Sequence, residues 1–126
     1  VVLGGLDDAQ VLGMSGGWRK TFTLAADSPV SISFAYRLNA WSGYENDEYS
    51  EVLVTVDDLQ PGTAGTDAVA TVAAGGDTDW QTFSADLGTL AAGTHTLTLG
   101  GYNNKKTYNT EATEVWIDAV QVIANP

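Results

Sequence analysis

Two acidic, tyrosine-rich segments lie far apart in this chain, and both carry the groups from which a cation site or a sugar-binding surface is made. The first is Tyr44-Glu45-Asn46-Asp47-Glu48-Tyr49-Ser50-Glu51. The second is Tyr108-Asn109-Thr110-Glu111-Ala112-Thr113-Glu114, which runs into Val115-Trp116-Ile117-Asp118. Each concentrates side-chain oxygens at short spacing, the donor type that a hard cation such as Ca²⁺ requires. Each also sets aromatic rings beside those oxygens, offering flat apolar faces with polar tips. If the fold joins the two segments, they form one site.

The carboxylates define a Ca²⁺ site drawing on Glu45, Asp47, Glu48, Glu111 and Glu114. Six carboxylates and no basic residue lie between Glu45 and Asp58. Crowded carboxylates resist ionisation unless a cation or a basic side chain compensates. The D-x-D-x-D-G loop of an EF-hand is absent, so the site is an irregular one of extracellular-type affinity. The competing reading is a solvated face of an acidic protein, with Arg37, Lys105 and Lys106 as local counter-charges.

The aromatics point to a ligand surface. Trp41, Tyr44, Tyr49, Tyr102, Tyr108 and Trp116 fall in or beside the two segments, with Asn103 and Asn104 next to them as hydroxyl partners. Sugar rings stack on such faces, and exposed aromatics gathered in one place mark a contact surface. Trp18, Phe22, Phe34 and Trp80 have core-facing parity instead. Enzymatic readings are poor. The only histidine, His95, sits on the apolar side of a regular strand pattern, and no cysteine exists. A Ser-His-Asp triad would need an accessible His95, and nothing places a carboxylate pair in a cleft for glycoside hydrolysis. The expectation is no enzyme.

The elements that must position these residues read as strands. Val30, Ile32, Phe34, Tyr36 and Leu38 alternate with Ser31, Ser33, Ala35 and Arg37, and Val52, Val54 and Val56 repeat the pattern. Trp18 to Leu24 alternates except at Lys20, which suits either a stem lying along the surface or an edge strand. Ala68–Ala73, Trp80–Asp86, Gly93–Gly100 and Glu114–Ile123 follow, with bulges expected between Trp80 and Phe83 and near Asp118. Asp8–Met14 supplies a further strand. The stretches Asn39–Ser50 and Gly101–Thr113 read as the long loops, and the glycine pairs at 16–17 and 100–101 as turns. About eight short strands with no helical period give an all-β, antiparallel sandwich.

Composition bounds the rest. The chain has 126 residues and a formal net charge of −11, from 16 acidic and five basic residues. Without a basic footprint, nucleic acid is excluded as a partner. No apolar run is long enough for membrane insertion. Val1-Val2-Leu3-Gly4-Gly5 has no basic n-region and does not read as a signal peptide. Both ends read as cuts from a larger polypeptide, with Ala124-Asn125-Pro126 opening a linker, so residues 1–126 read as a single module.

Trp80-Gln81-Thr82-Phe83, the run from Leu87 to Leu99 and Ile117-Asp118-Ala119-Val120-Gln121-Val122 together resemble the C-terminal half of jelly-roll carbohydrate-binding modules. Ser31-Ile32-Ser33-Phe34-Ala35-Tyr36-Arg37 is similar to an early core strand of those modules and of MAM adhesion domains. The resemblance covers the layout of residues 18–124 and implies a non-catalytic module of a secreted or surface protein, of bacterial type. It further implies a structural Ca²⁺ held by N-terminal residues and a closing-strand carboxylate, positions that Asp8 (or Asp7) and Asp118 match. The expected partners are a polysaccharide or glycan and other domains of the same chain. The alternative is a structural or cell-adhesion domain that binds calcium but no sugar.

Overall fold

The computed structural model describes residues 1–125; Pro126, read above as part of a linker, lies outside them. Eight strands form: β1 (Val2–Gly5), β2 (Val11–Leu24), β3 (Ser28–Ala40), β4 (Tyr49–Val56), β5 (Ala68–Ala73), β6 (Gln81–Leu90), β7 (Gly93–Lys106) and β8 (Glu111–Ala124). They pair antiparallel in two sheets, ordered β1-β8-β3-β6 and β2-β7-β4-β5. That order, with the chain passing from sheet to sheet, is a jelly roll. Among the described residues no helix is long and apolar enough to cross a membrane.

Period-two patterning builds the core directly. Val30, Ile32, Phe34, Tyr36 and Leu38 of β3 face Val52, Val54 and Val56 of β4 and Leu97 and Leu99 of β7 across the sheets, all buried. Phe34 packs against Phe83 of β6 at 5.2 Å between ring centres, the ring planes tilted by 41°. Such burial, non-directional and proportional to apolar area, is the main favourable contribution to folding.

Several expectations are corrected. The stretch from Gly101 is not a loop, because β7 continues to Lys106 between β2 and β4. The glycine pairs are not turns either: Gly16 faces Gly101 and Gly17 faces Gly100 within the β2–β7 ladder. A Cβ on Gly17 would fall 2.1 Å from the Leu99 carbonyl oxygen, so the two backbones meet where no side chain fits. Val2–Gly5 forms a strand that the sequence reading missed. Trp18 and Trp80 are 47% and 50% exposed. Trp18 lies on β2, an edge strand as Lys20 suggested, and Trp80 precedes β6, another edge. The bulge near Asp118 is present, since Ala35 faces Asp118 while Ser33 faces Gln121, and Ala119 takes φ 52°. The other bulge sits at Leu87, opposite Val30 and Ser31, rather than between Trp80 and Phe83.

His95 is a satisfied boundary residue. Its Nε2 donates to the Ala91 carbonyl (2.8 Å) and its Nδ1 to Asp57 Oδ2 (2.6 Å), and its ring stacks on Phe22. Two acceptors favour the doubly protonated ring, so these bonds, that to Asp57 first, raise the histidine pKa above its ordinary 6.5. The same bond holds Asp57 below its ordinary 3.8. A raised histidine contributes stability that is complete below 6.5 and lost as pH rises through the folded value. A lowered aspartate contributes above 3.8 and loses it as pH falls through its own. The thermal midpoint of wild type minus that of His95→Gln is therefore expected to peak near pH 5, between those two ordinary values, and to shrink towards pH 8. A pH-independent difference would refute this pairing.

Candidate metal centre and tyrosine platform

The topology brings the two acidic segments together. β3 neighbours β8 in one sheet and β4 neighbours β7 in the other, so the β3–β4 and β7–β8 connections cross between sheets at the same end. Glu45 and Glu48 bracket a tight turn, in which Glu48 N–H donates to the Glu45 carbonyl (3.0 Å) and Glu45 N–H to Glu48 Oε2 (2.7 Å). From the other connection, Thr107 N–H donates to Glu111 Oε2 at 2.7 Å.

Thr107 is the centre of the arrangement. Its Oγ1 lies 2.6 Å from Glu45 Oε2, 3.1 Å from Glu48 Oε1 and 3.2 Å from Glu111 Oε1. Glu48 and Glu111 are fully buried. A hydroxyl has one hydrogen to give. With all three carboxylates ionised, two of these contacts set acceptor against acceptor. Burial, with Glu45 and Glu111 beside it, pushes the Glu48 carboxyl above the ordinary range. Either a proton or a cation relieves this arrangement. Glu45, Asp47 and Glu48 present oxygens within 4.8 Å of one another and can hold a metal ion. Glu111, outside that group of three, and the Thr107 hydroxyl add further oxygens beside it, the donor type that Ca²⁺ takes.

The remaining predicted ligands lie elsewhere. Glu114 Oε1 accepts from the Trp41 indole N–H at 2.6 Å. Asp118 is exposed and caps its own bulge, accepting from Ala119 N–H. Asp8 is exposed on the β1–β2 connection. Neither Asp8 nor Asp118 belongs to a group of three potential ligands among the described residues. Asp47 is already engaged by Lys105 Nζ at 2.8 Å, which lowers its pKa and raises that of the lysine.

The aromatic set divides into separate places. Tyr44 is buried and its hydroxyl meets Thr113 Oγ1 at 3.0 Å, so it belongs to the interior. Asn103 is buried as well, donating to the Tyr49 carbonyl and to Ser50 Oγ, itself 2.6 Å from Thr113. These four residues form a hydrogen-bonded polar layer between the acidic cluster and the apolar core. Trp116 lies on the outer face of the β1-β8-β3-β6 sheet under the Arg37 guanidinium, 5.7 Å from the ring centre. Trp41 is half-buried against Glu114, and Tyr108 projects from the β7–β8 connection, 61% exposed.

Tyr49, Tyr102 and Asn104 remain together on the outer face of the other sheet. The tyrosine rings are 6.3 Å apart, and Tyr49 is 39% exposed. Asn104 ties them to the acidic turn: its Oδ1 accepts from Tyr49 N–H and its Nδ2 donates to the Asp47 carbonyl, both at 2.8 Å. Ser15, which faces Tyr102 across the β2–β7 ladder, opens a shallow hollow of about 380 Å³ with Gly17, Arg19, Leu53, Thr98 and Gly100. The sequence reading missed Thr107 and the linking role of Asn104. Only the position of Thr107, four residues before Glu111, hinted at the former.

No family model matches the chain, and no curated protein does. Among solved structures it is similar to one described as "EclA C-terminal domain; sugar-binding protein", at 15% identity and a TM-score of 0.44, covering 94% of this chain and 81% of that one. It is also similar to structures of infectious bursal disease virus, strains Gt (14% identity, TM-score 0.35) and Gx (18%, 0.30). Those two matches cover 97% of this chain and 31% of the viral one. At these identities and TM-scores the likeness says nothing about what this chain binds.

Proposed function

We propose that this chain is a non-catalytic carbohydrate-binding module whose binding face is held in shape by Ca²⁺. The ion is held by Glu45, Glu48, Glu111 and the Thr107 hydroxyl, with Asp47 at the rim. It supplies the positive charge that the carboxylates lack and fixes the turn that carries them. The glycan lies on Tyr49 and Tyr102, with Asn104 as a hydroxyl partner, and extends towards the glycine-floored hollow. The observation that carries this reading is the pair of hydrogen bonds by which Asn104 joins the acidic turn to Tyr49, coupling order at the ion to order at the stacking surface. A site made of carboxylates and one hydroxyl suits the calcium levels outside cells, in keeping with a secreted or surface module.

The test is a glycan array in calcium, repeated in EGTA and with tyrosine variants. Tyr102→Ala and Tyr49→Ala are each expected to weaken binding about tenfold, as the loss of a ring stack of about 1.5 kcal/mol implies. Tyr108→Ala is expected to leave it unchanged. Silence across diverse glycans would instead favour a calcium-binding structural or adhesion domain, and full binding by Tyr102→Ala would move the site off this face.

A further inference from the structure

The β3–β4 and β5–β6 connections and the start of β8 meet at Trp41. Its backbone N–H donates to the Ala112 carbonyl (2.9 Å), and its carbonyl accepts from Gly75 N–H (3.3 Å) and Tyr44 N–H (3.4 Å). The indole is fixed as well, because its N–H is given to Glu114. Where these segments meet they leave an open hollow of about 670 Å³, within the range of about 300–1,000 Å³ usual for small-molecule sites. Asn39, Ser42 and Thr110 line it beside Trp41, with Ala40 and two glycines as the rest of its wall. The lining is selective. In a chain with 16 acidic side chains, none that lines this hollow carries a charge, so an ionic ligand finds no counter-charge there. An apolar ligand finds only the indole and one alanine. What the hollow offers is one flat ring with an amide and two hydroxyls, each able both to donate and to accept. Among the described residues the side chains of Asn39, Ser42 and Thr110 hydrogen-bond no other protein group.

We propose that this hollow is a second sugar site of the module, taking one uncharged pyranose ring against the Trp41 indole, with Asn39, Ser42 and Thr110 bonding its hydroxyls. The proposal rests on the reading that the chain binds glycans with calcium, and it adds a place and a class of sugar that the tyrosine face does not define. A pyranose matches the lining on both counts. Its C–H face suits the one ring, and its hydroxyls, which donate and accept alike, suit the three uncharged partners. The ion sets the shape of the hollow. Ser42 and Gly43 lie just before Glu45, and Thr110 directly precedes Glu111. A Cβ on Gly43 would collide with the Thr110 carbonyl, so the two segments touch at this wall. Drawing Glu45 and Glu111 onto one cation therefore also fixes Ser42 relative to Thr110.

The probe is a panel of methyl glycosides, the neutral glucoside, galactoside and mannoside with their uronates, titrated into the isotopically labelled protein in calcium and in EGTA. At least one neutral glycoside is expected to shift the Trp41 indole N–H and the Asn39 side-chain amide saturably in calcium, and to bind about tenfold more weakly in EGTA, where the wall is no longer held. Its uronate is expected to bind about tenfold more weakly in calcium, because a chain of net charge −11 repels it and the hollow holds no counter-charge. Trp41→Ala is expected to abolish the shift at Asn39. Thr110→Val, at an exposed position and with the side-chain shape kept, is expected to weaken binding about fivefold, as the loss of one hydrogen bond implies. Silence at Trp41 and Asn39 with every neutral glycoside overturns the proposal, even where Tyr49 and Tyr102 respond and the tyrosine face stands. Shifts at Trp41 with both tyrosines silent support it and remove the tyrosine face instead. Equal binding of the uronate overturns the assignment to uncharged sugars, and equal binding in EGTA overturns the ion's hold on the hollow.

Discussion

Saturating Ca²⁺ is expected to raise the thermal midpoint of this protein, and Glu48→Gln is expected to act with opposite signs with and without the ion. A ligand that binds only the native state stabilises by about 2.7 kcal/mol at a hundred times its dissociation constant. For a domain of this size that is roughly 10 °C. The sign reversal follows from the proton count at Thr107. Without a cation, Glu48 is buried against Glu45 and Glu111, and its carboxyl is held above the ordinary range. A glutamine there accepts from Glu45 N–H with its oxygen and donates to Thr107 Oγ1 with its nitrogen. Thr107 is then free to give its hydrogen to Glu45. The variant in EGTA should therefore gain about 1 kcal/mol, the net worth of one hydrogen bond. In calcium the same change removes a charged ligand, and the variant should lose most of the calcium-induced shift.

The pH dependence has a definite sign. A carboxyl raised in the folded state contributes stability at low pH that is lost as pH rises through its folded value. Metal-free protein should thus gain at this site on acidification, whereas calcium affinity should fall, because the ligands must be ionised to bind. Differential scanning fluorimetry in calcium and in EGTA, for both proteins, checks all of this. An unchanged wild-type midpoint in calcium would sink the metal assignment.

Lys106→Ala is expected to cost about 3 kcal/mol, from the lost packing of its buried stem and the lost charge-assisted hydrogen bonds of its ammonium. Lys106 ends β7 and is buried to its tip. Its Nζ donates to the Asp7 carbonyl (2.6 Å), the Ala9 carbonyl (3.0 Å) and Asp7 Oδ1 (3.2 Å). All three ammonium donors are used, and all three acceptors lie on the connection between β1 and β2. Asp7 is held below the usual carboxylate range, first by Ala9 N–H and then by this lysine. Here a side chain does what a bound cation does elsewhere, gathering carbonyl and carboxylate oxygens to fix a loop. Lys106→Met, which keeps the buried stem, should lose less than Lys106→Ala. Both should open the Asp7–Gln10 region to limited proteolysis. Denaturant melts together with cleavage mapping test the assignment. Equal stability of Lys106→Ala and wild type would show that the ammonium is dispensable.

The strands of the core were legible because burial on one face leaves a period-two trace that no other structure produces. β3 and β4 show it without interruption. The same trace ended too early in β7, where Gly100, Gly101, Asn103 and Asn104 break the apolar alternation. Gly101 is small because a Cβ there would press on Val115, and Asn103 is polar because it joins the Ser50–Thr113 layer. Both are consequences of neighbours distant in sequence. Trp18 was read as core from parity alone, but parity gives the direction of a side chain, not the layer that covers it.

The acidic excess, the lack of basic partners and the alternation that makes a two-layer all-β fold are properties of the sequence by itself, since charge and periodicity are local. That the two acidic segments meet was decided only by the tertiary structure, through a strand order that places β3 beside β8 and β4 beside β7. The tertiary structure also chose among their residues. It closed Glu45, Glu48 and Glu111 around Thr107, gave Glu114 to Trp41, buried Tyr44, and left Tyr49 exposed beside a half-buried Tyr102. Hydrogen-bond and burial partners across the sandwich are set by register, and register is fixed by packing over the whole chain.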